Sequence, residues 1–147
     1  MARKRPLNPI LKPSGARIIL ASTSPRRREL LGHTGLKFSV GSPEIDESVA
    51  KGELPRAYCS RMAAEKAAKI WRSLAISKAF FNTIVIAADT SVIVDGQILG
   101  KPSNISSATR MLRKIQGRWH EVLTAVCVEG HAQGRIFTVS TRVKLAA

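Results

Sequence analysis

The sequence has few cysteines and no long apolar run, and each shortage excludes a class of protein. Its two cysteines, Cys59 and Cys127, stand alone in different segments, which provides neither a disulfide framework nor a close-spaced zinc pair. Apolar stretches such as residues 84–88 are far shorter than the roughly 18 residues of a bilayer span, and no secretion signal is recognisable. We therefore expect a cytoplasmic protein with two buried thiols and no membrane partner.

Acidic and aromatic residues are also scarce. The 24 Lys and Arg residues stand against 10 Asp and Glu, which gives a net charge of +14. Such a charge attracts polyanions, but aromatic residues make up only 5% of the chain, so platforms for stacking bases are few. Residues 1–16 carry basic charges without an acid and are expected to form a flexible basic arm. We expect nucleic acid to bind only non-specifically, through charge.

The pattern of residues 17–143 predicts one mixed α/β domain, which suits a chain of 147 residues. Helices are predicted where apolar residues recur at helical spacing or follow a capping residue, at 26–31, 55–74 and 106–115. Strands are predicted at 17–22, 37–41, 83–94, 120–128 and 135–143. The strand at 83–94 is expected to contain a break, or to be two strands meeting at a bend. Residues 144–147 are interpreted as a tail or as a vector-derived remnant.

Asp89 is the acid that a polar setting does not explain, because it lies inside an almost continuous apolar strand pattern. An ionised carboxylate there costs on the order of several kcal/mol unless it is paired, hydrogen-bonded or metal-bound. A cation or a bound ligand is therefore expected beside it. The alternative is a structural carboxylate that caps a turn through Thr90 and Ser91. Taken alone, the residue supports both interpretations.

Residues 22–28, with the sequence STSPRRR, predict an anion site between a strand and a helix. Ser24 can cap that helix and Pro25 suits its first turn. Free backbone N–H groups and the helix dipole favour negative charge there, and arginines can fork onto phosphate oxygens. Similar runs also occur as phosphorylation sites or basic surface patches. Lys101, between a glycine and a proline, is by itself best interpreted as a solvent-facing lysine.

Taken together, several segments resemble one known family. The segments are LASTSPRRRELL at 20–31, EIDE at 44–47, AAEKA at 63–67, IAADTSVIVDGQILGKP at 86–102 and a pattern ending in H-x-V-x-T at 111–124. Their order and spacing resemble those of the Maf (septum formation inhibitor) family of nucleoside triphosphate pyrophosphatases. The resemblance implies a Maf/ITPase-like fold. In that fold an elongated mixed sheet is flanked by helices, a nucleotide cleft lies between two lobes, and the protein is often a homodimer.

The resemblance also implies a reaction and roles for individual residues. Water would attack the α-phosphorus of dTTP or UTP, or of a modified pyrimidine nucleotide, and the products would be the monophosphate and pyrophosphate. Asp89 would be the proton acceptor, and a divalent cation, Mg²⁺ or Mn²⁺, would be held by Asp46, Glu47 and Asp89. The residues implied in substrate binding are Ser24, Arg26, Arg27, Lys66, Thr90 and Lys101. Among these, Arg26 and Thr90 are linked to base discrimination, and the two lysines are linked to the triphosphate.

The resemblance ends near residue 143, whereas family members usually continue with a glycine-rich segment that has no counterpart here. We therefore expect the C-terminal part of the second lobe to be missing. An unpaired edge strand and exposed apolar surface are then expected, which predicts association or poor solubility. The alternative function is a catalytically impaired remnant of the family that binds nucleotides or nucleic acid.

Overall fold

The computed structural model describes residues 15–147, apart from the side chains of residues 78 and 79. Most of the predicted basic arm, residues 1–14, lies outside the described residues. The predicted mixed α/β class is confirmed. The elements are β1 (Arg17–Ala21), α1 (Pro25–Gly32), β2 (Phe38–Gly41), α2 (Pro55–Leu74), a short 3₁₀ helix (Lys78–Asn82), β3 (Thr83–Val94), β4 (Gln97–Leu99), α3 (Ile105–Ile115), β5 (Trp119–Gly130) and β6 (Gly134–Lys144).

Within the described residues, the strands form one six-stranded mixed sheet in the order β2-β1-β3-β5-β6, with β4 paired to β3. The strand β1 runs parallel to both β2 and β3, whereas β5 is antiparallel to β3 and to β6. The strand β6 lies at one edge of the described sheet and exposes Ile136, Phe137 and Val139. This agrees with the predicted edge strand and apolar surface.

The strand β3 is continuous, so the predicted break or bend beside Asp89 is wrong. It pairs with β5 without interruption from Ile84 opposite Gly130 to Ile93 opposite Glu121. The physical reason is that the charge of Asp89 is compensated by its side-chain contacts, so the backbone needs no turn there. Asp89 is therefore a residue of a central strand and not the cap of a turn.

The helix α2 covers one face of the sheet and has the predicted bounds. Pro55 stands in its first turn, where the missing N–H of proline costs little. Its buried face carries the small side chains of Ala63 and Ala67 beside Met62, and small residues let the helix approach the sheet closely. Burying the Met62 side chain contributes about 2 kcal/mol. The same face carries Lys66, which is also buried.

The hairpin between β3 and β4 positions Lys101 after β4. Asp95 and Gly96 both have positive φ, at 51° and 75°, which is the backbone of the tight turn that favours an Asp-Gly pair. Beyond Lys101, Asn104 caps α3, and Ser107 completes a reciprocal capping box. Among the described residues, none of the helices has the length and apolarity needed to cross a membrane.

Candidate active site

A pocket of about 640 Å³ lies at the carboxyl end of β1, beside the middle of β3. Its walls come from the turn after β1, the loop of residues 42–47, α2, β3 and the segment after β4. The fold therefore brings together most of the site residues implied by the sequence, from segments far apart in the chain. Those that line the pocket are Ser24, Arg27, Glu47, Lys66, Asp89, Thr90 and Lys101.

The centre of the pocket is a lysine between two carboxylates. Lys66 Nζ lies 2.8 Å from Asp89 Oδ1 and 2.9 Å from Glu47 Oε1. The cation expected beside Asp89 is therefore Lys66. Burial lowers the pKa of the Lys66 ammonium, but its hydrogen bonds to Asp89 and Glu47 raise the pKa by more, so the net pKa lies above its ordinary value. Lys66 is thus a cation throughout the neutral range.

The second carboxylate oxygen of Asp89 has neutral donors. Ser91 Oγ donates to Asp89 Oδ2 at 3.2 Å, and the Cys59 thiol lies 3.7 Å from the same oxygen. Burial raises the pKa of the Cys59 thiol, and the negative charge of Asp89 raises it further, so the thiol stays protonated. Its single proton also has the main-chain carbonyls of Asp89 and Leu123 as nearer acceptors, at 3.3 and 3.4 Å. Asp89 is therefore held in one orientation from two sides while it lines the pocket.

Glu47 connects the buried lysine to an exposed one. Its Oε2 accepts a hydrogen bond from Lys101 Nζ at 2.5 Å, while its Oε1 faces Lys66. The hydrogen bond from Lys101, followed by that from Lys66, lowers the pKa of the Glu47 carboxyl. The Lys101 side chain is 83% exposed, yet its ammonium lies at the pocket, so the solvent-facing interpretation of Lys101 is incomplete.

Asp46, the neighbour of Glu47, is engaged locally. Its Oδ1 accepts from Ser48 N and its Oδ2 from Ser48 Oγ, both at 2.9 Å, and the backbone hydrogen bond is the main cause that lowers the pKa of this carboxyl. Within residues 15–147 no three His, Cys, Asp or Glu side chains are grouped as metal ligands. The structure therefore brings Glu47 and Asp89 together at Lys66, while Asp46 turns to Ser48.

The turn between β1 and α1 forms the predicted helix start. Ser24 is the N-cap of α1, and its hydroxyl accepts from Arg27 N at 3.5 Å. The Arg27 guanidinium donates to Ser22 Oγ at 3.5 Å and to Thr90 Oγ1 at 3.2 Å. Arg26 is exposed and lines a neighbouring apolar groove. Arg27, and not Arg26, is therefore the arginine that the structure joins to Thr90.

Three residues of the site were given no individual role by the sequence reasoning. Ser22 is buried and accepts hydrogen bonds from Ser24 N and Arg27. Thr124 Oγ1 lies 3.0 Å from Thr90 Oγ1, and Tyr58 Oη donates to the Glu47 carbonyl at 2.8 Å. A signal existed for two of them, since Ser22 opens the STSPRRR run and Thr124 ends the H-x-V-x-T pattern.

The arrangement suits a chain of phosphates. Lys66, Lys101 and Arg27 bring positive charge to the lining of the pocket, and the start of α1 adds the positive end of a helix dipole. A bound polyanion would therefore be surrounded by fixed cations while the Asp89 carboxylate faces the same space. Such an arrangement can neutralise charge that develops on phosphate oxygens and can accept a proton from a nearby water.

The chain is similar in sequence to a known family and to curated proteins. Residues 17–147 match the family described as Maf-like protein. The chain is 40% identical over 132 residues to the dTTP/UTP pyrophosphatase of Hahella chejuensis, and the matched residues make up 90% of this chain and 64% of that protein. It is 48% identical over 116 residues to the protein of the same name from Anaeromyxobacter dehalogenans, and the matched residues make up 79% of this chain and 55% of that protein. The chain thus spans less than two thirds of the length of these curated relatives.

A solved structure shares the fold. The Staphylococcus aureus Ham1 protein superposes with a TM-score of 0.57 over 87% of this chain and 71% of that chain, at 16% sequence identity. At this level of identity the likeness concerns the fold alone. It agrees with the Maf/ITPase-like architecture expected from the sequence.

Proposed function

The chain belongs to the Maf-like protein family, and from this premise we propose that it hydrolyses a nucleoside triphosphate to the monophosphate and pyrophosphate. dTTP and UTP are the proposed substrates because relatives at 40% and 48% identity are named dTTP/UTP pyrophosphatase. The observation that carries the proposal is the buried Lys66 ammonium, which joins Asp89 to Glu47 inside a pocket lined with cations.

In the proposed reaction, a water oxygen attacks the α-phosphorus, and the bond from that phosphorus to the oxygen shared with the β-phosphorus breaks. Asp89 accepts the proton of the water, and pyrophosphate leaves with the electrons of the broken bond. The ion pair with Lys66 holds the Asp89 carboxylate in place before the attack. Arg27 and Lys101 offset the negative charge that accumulates on the phosphate oxygens.

A divalent cation, Mg²⁺ or Mn²⁺, remains part of the proposal. Mg²⁺ at nucleotide sites is typically bound by one or two carboxylates together with phosphate oxygens, and Glu47 and Asp89 line the same pocket, so the donor set fits. A bound cation would polarise phosphoryl oxygens as a Lewis acid. A role for Asp46 would require its carboxylate to release Ser48.

The products test the proposal. Purified protein is incubated with dTTP or UTP and Mg²⁺, and the phosphorus species are resolved by ³¹P NMR. We expect equal amounts of monophosphate and pyrophosphate. Release of inorganic phosphate with the diphosphate would contradict attack at the α-phosphorus. Saturable binding of dTTP without any product would favour the alternative function, a binding remnant of the family.

We also propose that two copies associate and that the protein is cytoplasmic. The support for association is the edge strand β6, whose exposed Ile136, Phe137 and Val139 would be covered by pairing with a second copy. Sedimentation of the purified protein tests this proposal, since a monomer at all concentrations would contradict it. Non-specific binding to nucleic acid follows from the charge of +14, and its affinity should fall steeply as salt rises.

A further inference from the structure

We propose that Tyr58 is a positioning residue for Glu47. Its hydroxyl fixes the main chain of the acidic loop, residues 42–54, so that the Glu47 carboxylate stays between Lys66 and Lys101. The inference rests on the proposed function of the pocket, in which Glu47 holds the two lysines. Tyr58 acts through Glu47 and is not assigned a contact with the reacting atoms.

The first support is the geometry of the contact. Tyr58 lies in the first turn of α2 and is 9% exposed, and its hydroxyl donates to the Glu47 carbonyl at 2.8 Å. The anchored atom belongs to the residue whose side chain bridges the two lysines. Tyr58 also lines, with Glu47, Asp89 and Lys101, a smaller cavity of about 250 Å³.

The second support is that α2 holds the remainder of the same loop with Arg61. The Arg61 guanidinium donates to Ser48 O at 2.9 Å and forks onto Glu53 at 2.6 and 2.7 Å. Glu53 in turn accepts from Ala50 N at 3.0 Å. Tyr58 and Arg61 are three residues apart, a spacing that places them on one side of a helix. The loop is therefore clamped at two successive points, and Tyr58 is the one nearest to the pocket.

The charges around Tyr58 keep its hydroxyl a donor. Burial raises the pKa of the phenol, and the negative charges of Asp89 on β3 and Glu47 on the loop raise it further, against the opposing charges of Lys66 and Arg61 on its own helix. The Arg61 guanidinium also lies 5.6 Å from the centre of the Tyr58 ring. An ionised phenol in this position would repel Glu47 and could not donate to its carbonyl.

Two variants test the proposal. Tyr58→Phe removes only the hydroxyl, and the matched control Ser73→Ala removes a hydroxyl that donates to Ile70 O at 2.6 Å on an exposed part of the same helix. The pKa of the Glu47 carboxyl is followed by ¹³C NMR, and kcat and KM are measured with dTTP. In Tyr58→Phe we expect the Glu47 pKa to rise toward its ordinary value and kcat to fall by about 10-fold. Ser73→Ala should match the wild type in both.

A second probe works even where Tyr58→Phe does not fold. The chain contains a single tyrosine, so growth on 3,5-difluorotyrosine labels Tyr58 alone and lowers the pH at which its phenol ionises. We expect the alkaline limb of the activity profile, and the change in the Glu47 carboxyl signal, to move to lower pH than in unlabelled protein. Identical profiles would overturn the proposal.

The NMR readout separates this proposal from the proposed function. If the wild type releases no pyrophosphate, the proposed function fails, while the Glu47 carboxyl signal still reports whether Tyr58 positions it. If the wild type is active and Tyr58→Phe keeps both the Glu47 pKa and kcat, the positioning role fails and the proposed function stands.

Discussion

The Lys66 ammonium lies 2.8 Å from the Asp89 carboxylate, and both side chains are about nine-tenths buried, with 9% and 12% of their surface exposed. Glu47 approaches the same ammonium from the loop at 2.9 Å. Asp89 is paired with Lys66, whereas Glu47 is paired with both Lys66 and Lys101. The site and the fold are therefore coupled through one lysine on α2.

Removing Lys66 should destabilise the protein. Lys66→Met leaves Asp89 without its ion-pair partner in a buried position, and breaking a buried pair costs about 3 kcal/mol or more. Urea unfolding measures the loss. Lys69→Met, on an exposed position of the same helix, is the matched control and should have a much smaller effect. Equal losses in the two variants would show that Lys66 has no special role.

Truncating Met62 should create a cavity under α2. Met62 is fully buried on α2, and Met→Ala changes in cores cost about 2 to 5 kcal/mol. Leu112→Ala on α3 serves as a control, since Leu112 is 59% exposed. Thermal and urea unfolding should separate the two variants clearly. A stable Met62→Ala protein would contradict the described packing of α2.

Acid should weaken the clamp on the acidic loop. The hydrogen bond from Arg61 holds the pKa of Glu53 at about 2, below its ordinary value of 4.5. A depressed folded-state pKa stabilises the fold above the unfolded-state pKa, and the stabilisation is lost as the pH falls from 4.5 toward 2. Glu53→Gln should lower the free energy of unfolding at pH 7 and reduce the decrease of that free energy between pH 4.5 and 2. Glu29→Gln, on the exposed surface of α1, should leave the pH dependence of the free energy of unfolding unchanged.

Arg27→Lys should weaken substrate binding while the positive charge is kept. The guanidinium contacts Ser22 and Thr90 with two different nitrogens, and a lysine cannot reproduce this fork. Losing one charge-assisted hydrogen bond to phosphate corresponds to a rise in KM of about 10-fold. Arg28→Lys, one residue further and exposed, is the control. An unchanged KM for Arg27→Lys would contradict a role for this side chain in the anion site.

Local signals predicted the helices well. The bounds of α2 followed from Pro55 in its first turn and from apolar residues at helical spacing, both of which act within the helix. The cation beside Asp89 was also predictable, because an acid inside an apolar strand needs a partner. The identity of that partner could not be predicted from the residues around Asp89. Lys66 is 23 residues away, and its proximity depends on how α2 packs on β3.

Choices between neighbouring residues could not be made from the sequence. Asp46 and Glu47 are adjacent acids, and only the loop conformation decides that one turns to Ser48 and the other to the lysines. The same holds for Arg26 and Arg27, where the helix phase of α1 directs the second toward Thr90. Tyr58 gave no chemical signal because its contact is to a main-chain atom of a distant loop.

The most direct test of the account is the rate of pyrophosphate release from dTTP by three forms of the protein. Asp89→Asn removes the proposed proton acceptor, whereas Asp95→Asn makes the same change at a 71% exposed hairpin residue paired with Arg118. The account predicts a rate lower by about 10²- to 10⁴-fold for Asp89→Asn and a rate close to the wild type for Asp95→Asn. Equal rates in all three forms would contradict it.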